Sequence, residues 1–171
     1  TFLDTLLISP PGAGKTTLLR DLIRELSCGG TWGAGKNVSV VDERSEIAAC
    51  FGGVAQCDLG PRTDVMDGCP KSEGMLMMLR SMAPQVLAVD EITAPEDLRA
   101  IQEAAGCGVT LLATAHGGSW EELRLRPLYR ELLDQGGEFG LGLFQLAQFH
   151  QQAGVGQAQA LVVGCLFEAL A

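Results

Sequence analysis

Short apolar runs alternate with longer amphipathic stretches along this chain of 171 residues. Leu6, Leu7 and Ile8 belong to a run that predicts a strand over 5–8, and a proline- and glycine-rich turn follows over 9–14. Leu18, Leu19, Leu22, Ile23 and Leu26 recur every three or four residues, which puts them on one stripe of a helix over 15–26. Gly29 and Gly30 predict its end. A second strand is expected over 38–41, and the segment 51–70, rich in Gly, Pro and Asp, reads as a long loop. The next helix carries Met75, Met78, Leu79 and Met82 on one face, a stripe that core packing explains without a cofactor. Strands are expected over 86–89 and 109–114. Thr93 with Glu96, and Ser119 with Glu122, form capping-box patterns at the starts of two further helices, the first over 95–105. Residues 139–171 have room for a last strand and a terminal helix. The alternation predicts an α/β fold, a mostly parallel sheet sandwiched by helices.

Composition narrows the class. The chain is 47% hydrophobic with a mean hydropathy of +0.20, yet no apolar run approaches the roughly 20 residues of a membrane-spanning helix. A net charge of −9 argues against electrostatic capture of nucleic acid or an anionic membrane, so no direct nucleic-acid partner is expected. The six cysteines include no C-x-x-C pair, and with two histidines in the chain they read as reduced thiols of a cytoplasmic protein. All 12 basic residues lie at or before Arg130, after which the chain turns Gly-, Gln- and Leu-rich. The opening at Thr1, without a start methionine, reads as that of a fragment or trimmed chain.

Four segments carry candidate chemistry. Ser9-Pro10-Pro11-Gly12-Ala13-Gly14-Lys15-Thr16 has the spacing of a Walker A loop, with Ser9 where the first glycine usually stands. Its backbone N–H groups, through Thr17, would wrap a phosphate at a helix N-terminus; Lys15 would reach the β- and γ-phosphates, and the Thr16 hydroxyl would ligate Mg²⁺. The strand over 86–89 ends in Asp90 and Glu91, a Walker B pattern in which Asp90 holds the metal and Glu91 polarises the attacking water. Asp42, Glu43 and Arg44 end the second strand, where open α/β sheets bind ligands. Glu43 is the alternative water-polarising carboxylate, Arg44 could touch a phosphate or a neighbouring subunit, and the competing reading of Asp42 is a cap for a following helix. Thr114 and His116 end the fourth strand and are candidate γ-phosphate sensors.

The order of this loop, VVDERSEIAAC, GPRTDVMDGCPKSEGM, RSMAPQVLAVDEI and LLATAHG resembles the stage III sporulation protein AA family of spore-forming bacteria, itself similar to type II and type IV pilus secretion ATPases. The likeness covers roughly residues 3–130. It implies a RecA-like P-loop core of the ASCE type, ATP and Mg²⁺ as cofactors, and hydrolysis in a homo-oligomeric, hexameric ring. It also implies membrane-embedded sporulation channel proteins as partners, and a cytoplasmic location at the periphery of that complex in the mother cell. Residues 1–135 would form the ATPase core and 136–171 complete the same domain, with the family's N-terminal domain outside this chain. The DERSE segment resembles the family's acidic box, and Thr114 to His116 its histidine box. Arg44, Arg62 and Arg80 are the candidates for an arginine that stabilises transition-state charge. Competing readings are a RecA-like ATPase acting on nucleic acid, a nucleotide-binding scaffold with little turnover, and a P-loop kinase. The adjacent Asp90 and Glu91 favour water as acceptor over the kinase.

Overall fold

The computed structural model describes residues 2, 4–30, 33–135 and 142–145. Strand β1 (Thr5–Ser9) leads through the glycine loop into helix α1 (Lys15–Cys28). A short antiparallel pair, β2 (Gly29–Gly30) and β3 (Gly33–Ala34), connects to β4 (Val38–Asp42). Then come β5 (Thr63–Asp67), α2 (Lys71–Met82), β6 (Val86–Val89), α3 (Pro95–Gly106) and β7 (Thr110–His116). The helices α4 (Trp120–Arg124) and α5 (Pro127–Gln135) precede β8 (Gly142–Gln145).

The main sheet has the order β5-β4-β6-β7-β1-β8, and every pairing in it is parallel. Strand β7 is inserted between β1 and β6, so the chain leaves the first strand and returns to its flank late. All the carboxyl ends of these strands lie along one edge. Period-2 alternation sorts their side chains into two layers. Leu7, Val40, Ala88 and Leu112 pack under Leu19, Leu22, Ile23 and Leu26 of α1. Ile8, Val41, Val89 and Ala113 face the other way, against α2, α3 and Tyr129 and Leu132 of α5. The sandwich of helices around a parallel sheet is as expected. Strands β1, β4 and β6 are buried along their whole length, as suits parallel strands covered on both faces.

Three local expectations are corrected. The segment read as a loop over 51–70 contains β5, an edge strand paired in register with β4 from Val38↔Thr63 to Asp42↔Asp67. Its sequence, Thr-Asp-Val-Met-Asp, is polar because an edge is partly solvated, and charges there discourage edge-to-edge pairing. Met75 and Met78 are core residues as expected, but Met82, in the last turn of α2, is 45% exposed. Helix α3 is capped at Ala94: the Asp97 carboxylate accepts from Thr93 N–H and Ala94 N–H, both at 3.1 Å, and Thr93 is not the cap. At α4 the expected pair does form, with Ser119 Oγ accepting from Glu122 N–H at 3.2 Å. Gly29 ends α1 with a left-handed φ of 80°, where a Cβ would collide with Gly35 N at 2.5 Å. A terminal helix after β8 lies outside the described residues.

Candidate functional site

The glycine loop owes its shape to two positive φ angles. Gly12 has φ 74° and Gly14, the N-cap of α1, has φ 87°, a region that side chains with a Cβ enter at a cost of about 1–2 kcal/mol. A Cβ at either position would meet nothing within 4 Å, so the loop is open on that side. Lys15 follows as the first residue of α1 and is only 7% exposed. Its Nζ donates to the carbonyls of Ser9 at 3.1 Å and Pro10 at 3.3 Å, and lies 2.9 Å from His116 Nδ1. Burial pushes the Lys15 ammonium below its ordinary range, and the Glu91 and Asp90 carboxylates oppose that shift.

From β7, His116 reaches both ways, with Nε2 3.2 Å from Glu91 Oε2. An ammonium offers only hydrogens and a carboxylate only lone pairs. The neutral ring with its hydrogen on Nε2 therefore satisfies both neighbours. Thr114 Oγ1 donates to Asp90 Oδ1 at 2.6 Å and accepts from Glu91 N–H at 3.0 Å. Glu91 N–H also donates to Asp90 Oδ1 at 3.0 Å. Three adjacent strands thus deliver Lys15, Asp90, Glu91, Thr114 and His116 to one edge, although they lie far apart in the chain. Gly117 N–H donates to the Ser9 carbonyl at 3.3 Å and closes β7 onto β1 beyond the last pair of the ladder.

The donor set fits magnesium. Among the described residues no three His, Cys, Asp or Glu side chains converge to hold an ion. Mg²⁺ seldom occupies an all-protein cage; it takes one or two carboxylates, water and substrate phosphates. Half-buried Thr16, directly after the open glycine loop, and Asp90, whose carboxylate acts on the Lys15 ammonium, are oxygen donors of the kind that description needs.

The acidic box behaves differently. Asp42 is buried, and its carboxylate accepts from the N–H groups of Glu46 at 2.8 Å, Ile47 at 3.0 Å and Ala48 at 2.8 Å. With both oxygens committed to that loop, it neither caps a helix nor faces the site. Arg20 of α1 fastens the same loop by donating to the carbonyls of Ile47 at 2.8 Å and Glu46 at 2.7 Å. Glu43 forms an ion pair with Lys71 at 3.1 Å, and Arg44 stands exposed beside it. Arg62 falls at the opposite edge of the sheet, before β5, where its guanidinium donates to the Ser27 carbonyl at 3.1 Å. Ser27 is near the far end of the 14-residue α1, about 18 Å from Lys15 at 1.5 Å per residue. That distance removes Arg62 from the site of its own chain. Arg80, on the outer helices, approaches Glu103 at 3.5 Å.

Two residues escaped the sequence reading. Arg126 donates to the His116 carbonyl at 2.7 Å and to Glu122 Oε1 at 2.7 Å, while Glu122 Oε2 accepts from Gly118 N–H at 2.8 Å. The i,i+4 spacing of Glu122 and Arg126 signals the ion pair but not its grip on the strand end. Lys71, buried at the start of α2, was read only as part of the segment GPRTDVMDGCPKSEGM, with no role of its own. Nearby, Tyr129 donates to the Ile92 carbonyl at 2.8 Å, and burial pushes its hydroxyl up to about 12.

The sheet order and the loop between β1 and α1 define a RecA-like P-loop nucleoside triphosphatase fold. The ATPase DotB of Legionella pneumophila shares it with a TM-score of 0.55 at 22% identity, over 76% of this chain and 33% of that one. So does the VirB11 ATPase of the Brucella suis type IV secretion system, with a TM-score of 0.53 at 17% identity, over 76% and 33%. The chain belongs to the family described as sporulation stage III, protein AA, whose model matches residues 1–140. It is 48% identical to the stage III sporulation protein AA of Bacillus subtilis over 135 residues, which are 79% of this chain and 44% of that protein. The chain therefore spans less than half the length of that relative. No helix among the described residues is long and apolar enough to cross a membrane.

Proposed function

We propose that this chain is the catalytic core of a motor-type ATPase that hydrolyses ATP for a sporulation channel complex. The observation that carries the reading is the convergence of Lys15, Glu91 and His116 in one hydrogen-bonded chain beside the open glycine loop. Backbone N–H groups of residues 12–17 would cradle the phosphates at the start of α1, with Pro11 leading into the loop. Lys15, a buried cation, neutralises charge on the β- and γ-phosphates. Thr16 and Asp90 would hold Mg²⁺, which supplies further neutralisation of phosphate charge. Glu91 orients the water in line with the γ-phosphate, Thr114 fixes the Asp90 carboxylate, and His116 reports on the phosphate from the end of β7. Glu43 is the second carboxylate available to the water.

The same reading takes residues 1–135 as the core and 136–171 as the completion of one domain, a division that the pairing of β8 with β1 favours. It assigns assembly to a ring of copies, with an arginine supplied by a neighbour, and a station at the membrane face of a channel. Arg44 is the favoured arginine, since it stands exposed on the edge that carries the site. The decisive experiment is ATPase activity against protein concentration for the wild type beside Lys15→Ala. A steep rise with concentration supports ring assembly. No Lys15-sensitive turnover at any concentration overturns the enzyme reading.

A further inference from the structure

We infer that Lys71 is a positioning residue, which holds the Glu43 carboxylate in place along the site edge; this rests on the ATPase reading. Lys71 is 7% exposed, and its partner, Glu43, is half-exposed. A lysine here carries three costs. Its ammonium leaves water, which is unfavourable unless a partner compensates. It stands in the first turn of α2, where the partial positive charge of the helix end repels a cation. It also pairs with a flexible side chain that must lose rotamer freedom. An apolar residue of similar volume would anchor α2 without any of these, and replacing buried ion pairs by apolar groups is often neutral or stabilising.

The backbone on the other side of Glu43 is fastened with equal care. Asp42 takes three N–H groups of the loop that follows, Gly68 N–H donates to the Asp42 carbonyl at 3.0 Å, and Arg20 clamps the loop to α1. Glu43 is thus fixed at its backbone by Asp42 and at its head by Lys71. Register brings it to the right place. Val41 is paired with Val89, so Asp42 and Glu43 leave the sheet beside Asp90 and Glu91. Because β5 runs parallel to β4, α2 begins at this same edge and delivers Lys71 there. An ammonium in contact restrains the glutamate side chain, which is what a carboxylate that orients water requires.

The test is steady-state ATPase kinetics with fluorescent-nucleotide binding and thermal unfolding, on the wild type, Lys71→Met, Lys71→Arg, Glu43→Gln and the double variant Lys71→Met/Glu43→Gln. Lys71→Met is expected to lower kcat about 10- to 100-fold, the usual cost of losing a group that orients a reacting one, with nucleotide affinity unchanged. Lys71→Arg should restore most of the rate. The double variant should be no slower than Glu43→Gln, because both changes remove one device. Lys71→Met that shifts only the unfolding temperature, or multiplies its effect with Glu43→Gln, overturns the assignment while leaving the ATPase reading intact. A wild type without Lys15-sensitive turnover overturns both.

Discussion

Lys15 and Lys71 occupy equivalent places in two successive strand-to-helix units. Each is the first residue of a helix that follows a parallel strand, each lies on the carboxyl edge of the sheet, and each is 7% exposed. Their surroundings differ in one respect that decides their chemistry. In direct contact Lys15 meets carbonyl oxygens and an imidazole nitrogen, with the Glu91 and Asp90 carboxylates acting on it from further off. Lys71 meets a carboxylate and is neutralised by it. The first lysine is therefore available to an anion and the second is committed to a residue of its own chain. The loops before the two lysines both carry left-handed glycines with open space, Gly12 and Gly14 before Lys15 and Gly68 before Lys71, but Gly68 turns its N–H onto the Asp42 carbonyl at 3.0 Å.

The largest effect should come from Lys15. Lys15→Ala is expected to reduce ATP turnover by about 10²- to 10³-fold or more and to weaken nucleotide binding, measured by fluorescent-nucleotide titration. A variant that turned over ATP normally would erase the contrast between the two lysines. Next comes Glu91→Gln, which should slow turnover by about 10²-fold while binding of ATP persists. Equal losses of binding and turnover would mean that Glu91 serves the fold rather than the water. Gly14→Ala should cost about 1–2 kcal/mol in a denaturant titration, since φ 87° strains any residue with a Cβ while no neighbour stands in its way.

The smallest effect concerns the support behind Glu91. Tyr129→Phe removes a buried hydrogen bond to Ile92 and should cost about 1 kcal/mol. It also changes the pH dependence. The tyrosine hydroxyl rises from an ordinary 10.0 to about 12 in the folded protein because burial disfavours its charged form. The folded chain then keeps a proton that the unfolded chain releases. Its contribution is whole below pH 10 and is lost as pH rises towards 12, so Tyr129→Phe should flatten the fall in stability across that window.

Much of the sheet was legible because buried parallel strands are short apolar runs, and no other local structure explains Leu6 to Ile8 or Val86 to Val89 as economically. Strand β5 was missed since only part of it is buried and its pairing partner, β4, lies 20 residues or more away in sequence. The cap of α3 was misread for a different reason. Thr93 has the right chemistry, but Asp97 reaches back to two backbone N–H groups and leaves Ala94 as the cap. Asp42 shows the limit most clearly: its type and place suggested a ligand-facing acid, and only the fold reveals three N–H groups already bound to it.

What the sequence determined by itself is local. Glycines at 12 and 14 permit the left-handed turns of the loop, Lys15 and Thr16 open the helix, and Asp90 and Glu91 end a strand, because each follows from backbone sterics or apolar spacing over a few residues. Tertiary structure decided which of the charged groups face each other. Lys15 and His116 meet at 2.9 Å across 101 residues because β1 and β7 are hydrogen-bonded neighbours. Lys71 finds Glu43 because β5 pairs with β4. Two lysines alike in position and burial thus meet different partners, since the groups that a buried charge faces are set by strand order, and strand order is a property of the whole sheet.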